Sequence, residues 1–203
     1  MLLQGQVVNK IPNTRASGNP NALQLQLGEL AASELLPRLW AMGWSGVIYS
    51  AANQAAQAVS VALATAYTGI GIYNPPGSGV NLVPLKVKFG LSVAPAAVAT
   101  IGLLGCWAAT GAVTAQTAKL TSQNGIIGNT SAGQGIALSQ ATIVTPTWIE
   151  QLYDGFTAAA LPAPTVPLYM DGHSGVAPGG FLGIGALTAV TGLGSIFWAE
   201  LPV

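Results

Sequence analysis

The sequence predicts an all-β chain. Three observations carry that expectation: runs that alternate between apolar and polar side chains, turn-forming clusters that break those runs at short intervals, and too little charge to give helices a wet face. Alternation marks a strand because successive side chains leave a pleated backbone on opposite faces. It is clearest in Leu85-Lys86-Val87-Lys88-Phe89-Gly90-Leu91-Ser92-Val93, where every odd position is apolar and both lysines fall on the other face. A helix would scatter the same residues around its girth.

The other elements follow in order. Leu23, Leu25 and Leu27 alternate with Gln24 and Gln26, and Val59, Val61 and Leu63 alternate with Ala58, Ser60 and Ala62. Ile196, Trp198 and Leu201 suggest a last strand. Strands are expected near 22–28, 44–50, 57–65, 68–73, 82–93, 97–108, 136–144, 166–170, 180–189 and 193–201. Asn74-Pro75-Pro76-Gly77-Ser78-Gly79 is a loop, since proline cannot donate to a ladder and glycine permits positive φ. Asn124-Gly125 reads as a tight-turn dipeptide, and Pro178-Gly179-Gly180 precedes the apolar run Phe181 to Val190. Ala158 to Pro167, with three prolines, reads as an ordered extended loop. Glu29 to Trp40 is the one helical piece, so a short helix is expected near 29–40, weakened by Pro37. Many short strands at this spacing suit a sandwich or a barrel. Residues 1–28 are rich in Asn and Pro and have little to form a core before Leu23. They read as an extended N-terminal arm, with 29–203 as the folded domain. An arm loses entropy when ordered, so a neighbouring subunit is expected to hold it.

Composition removes several functions. Of 203 residues, 6 are Lys or Arg and 6 are Asp or Glu, so the net charge is zero. Six scattered cations cannot neutralise a phosphate backbone, which excludes a nucleic-acid partner. A single cysteine, Cys106, excludes a disulfide scaffold, and 51% hydrophobic residues exclude charge-driven disorder. The charge-free stretches Leu39–Leu85 and Phe89–Ala118 are long enough to span a membrane. The second, however, contains Pro95, Gly102, Gly105, Gly111 and several threonines, and no pair of basic flanks marks a cytoplasmic side. Met1 to Lys10 lacks the basic start and long apolar core of a secretion signal, so no membrane role is expected. A surface this poor in charge repels its own copies weakly. Copies of the chain, or partners, are expected to cover much of it.

Candidate chemistry is thin. Asp171-Gly172-His173-Ser174 puts an acid, the only histidine and a hydroxyl together. A Ser-His-Asp site needs the imidazole between partners brought from separate parts of a fold, and turn chemistry explains Asp-Gly and Ser-Gly. Glu150 and Asp154 stand four apart beside Trp148 and Tyr153, where a carboxylate pair could be imagined; a solvated loop or an interface contact explains them as well. One His, one Cys and six acids offer no spaced metal cluster. Cys106, beside Trp107 in an apolar run, reads as a buried inert thiol. Gly69 and Gly71, like Gly183 and Gly185, do not complete a nucleotide fingerprint. Asn129-Thr130-Ser131 matches a glycosylation sequon of the kind that arises by chance. No catalytic, cofactor-binding or metal residue is assigned, and no enzyme is expected. Trp40, Trp44, Trp107, Trp148 and Trp198 leave three uses open: core packing, anchoring at subunit contacts and sugar stacking.

Two passages carry a resemblance. One is Gly71-Ile72-Tyr73-Asn74-Pro75 followed by Ser78-Gly79-Val80-Asn81-Leu82-Val83-Pro84-Leu85-Lys86-Val87. The other is Pro178-Gly179-Gly180-Phe181-Leu182 with the C-terminal Ile196-Phe197-Trp198-Ala199-Glu200-Leu201-Pro202-Val203. Together they resemble small virion proteins of tailed bacteriophages, over most of residues 28–203, in turn-and-strand motifs that speak to fold more than to role. The resemblance implies a jelly-roll β-sandwich assembled as a homotrimer. It implies a capsid decoration or cement protein on the outer surface of the virion, bound between capsomers to the major capsid protein. Related modules form fibre tips, so a trimeric receptor-binding tip of a fibre or spike is the alternative; the missing repetitive shaft favours cement. A helix over Glu29–Trp40 is not something a plain sandwich implies. Many weak neutral contacts repeated over a shell sum to a strong hold that salt barely weakens.

Overall fold

Alternating runs become strands with one buried face, and the pairing of those strands defines the architecture. The computed structural model describes residues 39–93, 95, 97, 99–108, 110–154, 166–170 and 174–203. Over them the chain forms a short helix, α1 (Trp40–Trp44), and the strands β1 (Ile48–Ala52), β2 (Gln57–Val59), β3 (Ala66–Tyr73), β4 (Val80–Leu91), β5 (Thr100–Cys106), β6 (Val113–Lys119), β7 (Gln123–Asn124), β8 (Ile136–Ile143), β9 (Thr147–Asp154), β10 (Val166–Tyr169), β11 (Phe181–Ala186) and β12 (Val190–Pro202). The arm at 1–28, the strand expected at 22–28 and the helical stretch before Leu39 lie outside the described residues. Among the described residues no helix is long and apolar enough to cross a membrane.

One sheet runs β10-β4-β12-β1-β7, with β2 also on β12; the other runs β6-β8-β3-β11-β5-β9. Every one of these pairings is antiparallel. With β2, β6, β7 and β8 set aside, eight strands remain. The first pairs with the last (β1 with β12), the second with the seventh (β3 with β11), the third with the sixth (β4 with β10) and the fourth with the fifth (β5 with β9). Nested pairing of this kind is a long antiparallel hairpin rolled over two sheets, the jelly-roll β-sandwich. The segment from β6 to β8 is inserted between the fourth and fifth strands. It widens one sheet beyond β3 and the other beyond β1.

The main core lies between the sheets. β3 contributes Ile70 and Ile72, β4 Val87 and Phe89, β5 Ile101 and Leu103, β11 Leu182 and Ile184, and β12 Ile196 and Trp198. Each such side chain contributes roughly 1.5–3 kcal/mol when fully buried. Alternate positions of β3, β5 and β11 turn the other way. Tyr67, Tyr73, Leu104, Cys106 and Phe181 join Ala112, Val113, Leu138, Ala141 and Ile143 in a second buried cluster on the outer side of that sheet. Residues Met42–Val203 form one compact unit.

Several expectations change in detail. The run expected at 57–65 stops at Val59, because Ala62 and Leu63 adopt φ of 52° and 58° and turn the chain. The strand expected at 44–50 starts at Ile48, since α1 extends to Trp44. Asn124 is not the corner of a tight hairpin. It pairs with Tyr49, its Oδ1 accepts from the Ile126 N–H at 2.9 Å, and its Nδ2 donates to the Gly46 carbonyl at 2.7 Å, an Asx turn that ties two segments. Val166 and Pro167, where the expected loop and the strand expected at 166–170 overlap, belong to the strand β10; β10 is an edge strand, where proline's missing donor faces away from the ladder. Pro84 sits in the central strand β4 beside a bulge. Phe197 opposes Lys86 and Trp198 opposes Pro84, so Leu85 is the extra residue, and its carbonyl accepts from the Met170 N–H.

Candidate functional site

Asp171, Gly172 and His173 lie outside the described residues, and Ser174 is half-buried at the rim of a cleft. Glu150 and Asp154 both lie on β9, opposite Leu103 and Thr100. Those partners are three residues apart on β5, about 10 Å at ~3.3 Å per residue. Among the described residues, no group of three or more His, Cys, Asp or Glu side chains could hold a metal ion.

Cys106 is buried and its thiol is pushed up to about 11 by burial. Burial also raises the Tyr67 hydroxyl, against the Ile184 N–H that lowers it, and raises Tyr73. All three groups are neutral when protonated, and the folded state holds those protons more tightly than the unfolded chain. Their stabilisation is therefore complete below about pH 9 and fades as pH climbs from 9 towards 11. Melting temperature should fall steadily over that window. Cys106→Ala should flatten the decline, and a profile flat to pH 11 in the parent protein would contradict the burial of these groups.

The paired glycines have a packing explanation. Tyr67, Gly69, Gly71 and Tyr73 share the outer face of β3, and Phe181, Gly183 and Gly185 share that of β11. The rings lie across the glycines. A Cβ on Gly183 would sit 2.6 Å from the Tyr67 hydroxyl oxygen, and one on Gly102 would meet the Trp148 ring at 3.1 Å. Tyr67 and Phe181 meet edge-on, with centroids 4.9 Å apart. The Tyr67 hydroxyl donates to the Ile70 carbonyl at 2.5 Å and accepts from the Ile184 N–H at 3.1 Å. It thereby bridges β3 and β11.

One buried carboxylate was not singled out by sequence reasoning. Glu200 occupies the inward phase of β12 with Ile196 and Trp198, and Leu201 is exposed. Glu200 Oε1 accepts from the Gly135 N–H at 2.8 Å and from Trp198 Nε1 at 3.1 Å, and Oε2 accepts from the Gln134 N–H at 2.8 Å. Tyr49 stacks on Trp198 at 6.0 Å. The group clamps the β7–β8 connection to the last strand.

The tryptophans divide between uses. Trp198 is core, and Trp148 is half-buried against the second cluster. Trp44 is exposed at the end of α1. Trp107 is 70% exposed and borders a cleft of about 610 Å³. That cleft is lined by Cys106, Ile149, Val176, Pro178 and Phe181 among others, and brings few polar side chains beyond Ser174. The sequon asparagine, Asn129, uses its Oδ1 to accept from the Ser131 N–H in an exposed turn.

The chain matches no protein-family model, no curated protein and no solved structure. Function is read from the chain's own surface. Besides the Trp107 cleft, that surface carries outward apolar side chains on β12, Leu193 and Phe197 among them, which the alternation of the C-terminal strand contained but did not distinguish from core.

Proposed function

We propose that the protein is a structural virion component. On this reading it is a capsid cement or decoration protein that assembles as a homotrimer on the outer surface of a phage head, bound between capsomers to the major capsid protein. Fold alone does not assign a role, since jelly rolls serve capsids, lectins and enzymes alike. The observation that carries the reading is a jelly roll that turns Leu193, Phe197, Leu201 and Trp107 outward while only 6% of its chain is charged. Such a surface favours lasting contact with protein over a free existence in water. Sedimentation equilibrium should return three times the 20.4 kDa chain mass. A stable monomer at micromolar concentration would count against the proposal. Particles should keep the protein when moved from low to high ionic strength, because apolar contacts are not screened.

The second reading, a trimeric receptor-binding tip, is favoured by one feature: an exposed indole beside a cleft large enough for a sugar. Copy number separates the two. Cement requires on the order of hundreds of copies spread over the shell, where multivalency makes weak contacts hold. A tip appears in a few copies at the tail or vertices.

A further inference from the structure

We propose that the outer face of the β10-β4-β12-β1 sheet docks a protein surface that carries carboxylates around an apolar patch. The inference rests on the cement reading above and assigns that surface to the shell protein. Strand β12 turns Ile196, Trp198 and Glu200 inward. Its other phase carries Leu193, Ser195, Phe197 and Leu201 on the outer face, interrupted at Ala199, which is fully buried. Leu193 is 48%, Phe197 38% and Leu201 40% exposed. Eight steps at ~3.3 Å set Leu193 and Leu201 about 26 Å apart, a span in keeping with a protein–protein contact. On the adjacent strand, Lys86 stands opposite Phe197 and Lys88 opposite Ser195. Tyr169 of β10 stands on the far side of Lys86, whose ammonium lies 4.7 Å from the ring centroid. Two cations thus line one side of the middle of an apolar stripe.

The two sheets differ in what covers them. The β3-β11-β5 sheet has its outer face closed by the chain's own second cluster. On the β12 sheet, Leu193, Phe197 and Leu201 remain exposed, while Ala199 is covered. Among the described residues, no carboxylate lies on that face: Glu150 and Asp154 are on β9 in the other sheet, and Glu200 points inward. A second copy seated face to face about a two-fold axis across the strands would set lysines against lysines, which repel, and about an axis along β12 would set them against β1, Ile-Tyr-Ser-Ala-Ala, which offers no carboxylate. A different protein with acidic groups complements both features. The apolar stripe supplies affinity and the lysines fix orientation, so the salt dependence stays small.

The test uses the full chain and particles of the encoding phage stripped of it, with binding read by co-sedimentation. Lys86→Glu combined with Lys88→Glu, and separately Phe197→Asp, should each lower particle occupancy at least tenfold. Melting temperature and sedimentation mass should stay as in the parent, and Ile127→Ser, at a fully exposed position between β7 and β8, should bind normally. Variants that bind like the parent overturn the inference and leave the cement reading intact. Variants that keep their melting temperature but fall apart as oligomers also overturn it, because the face is then a contact between copies. A parent protein that stays in the supernatant overturns the cement reading and the inference together.

Discussion

Replacing Glu200 with alanine is expected to cost about 3–5 kcal/mol, a large part of the 5–15 kcal/mol that holds a typical domain folded. The carboxylate is buried and accepts from the backbone N–H groups of Gln134 and Gly135 and from Trp198 Nε1. Each donor left buried without a partner costs about 1–3 kcal/mol, and those nearest the surface recover part of that from water. The loss also frees the β7–β8 connection, whose attachment to β12 runs through this one side chain at both Gln134 and Gly135. Glu200→Gln should cost less, because one oxygen still accepts while the new amide group faces N–H donors. Urea unfolding measures both. The midpoint should fall in the order parent, Gln, Ala with little change in slope. An alanine variant within 1 kcal/mol of the parent would mean that the clamp does not hold in solution.

Glu200 also marks where sequence reasoning runs short. An acid in an apolar run reads as a surface residue, although the two-residue period puts Glu200 in phase with Ile196 and Trp198, and the burial along β12 shows all three on the inner face. The long strand β4 was legible because its alternation is unbroken from Leu85 to Leu91 and both lysines fall in one phase. Strand β9 was not. Its sequence, Thr-Trp-Ile-Glu-Gln-Leu-Tyr-Asp, contains two register shifts against β5, and each inserts a residue that slips the two-residue period. Strand β6 failed for another reason. Between Val113 and Lys119 it buries little, so there is no apolar phase to see. The alternation at 57–63 misled in the opposite sense, since the left-handed turn at Ala62 and Leu63 leaves no mark in residue type. The Trp107 cleft was invisible for a topological reason: its wall joins β5, β9 and the segment before β11, which are distant in sequence.

Gly71→Ala is expected to destabilise the protein by about 2–3 kcal/mol, at the upper end of the cost of overpacking a well-filled core. Gly71 needs no unusual backbone angle; it needs absence of a side chain. A Cβ there would sit 2.5 Å from Phe181 Cζ and 2.8 Å from the Leu182 carbonyl oxygen. The ring can swing aside, but the carbonyl cannot, because Leu182 is held in register with Ile72. Shortening the ring with Phe181→Leu should therefore relieve part of the Gly71→Ala cost and not all of it. A double-mutant cycle should return a coupling of about 1 kcal/mol between these touching positions. Gly175→Ala serves as the comparison. Its nearest neighbour would be the Leu82 carbonyl at 3.9 Å, and its effect should stay within about 0.5 kcal/mol. If Gly71→Ala proves as mild as Gly175→Ala, the rings do not lie on the outer face of the β3-β11 sheet. The second buried cluster would then have to be packed in another way.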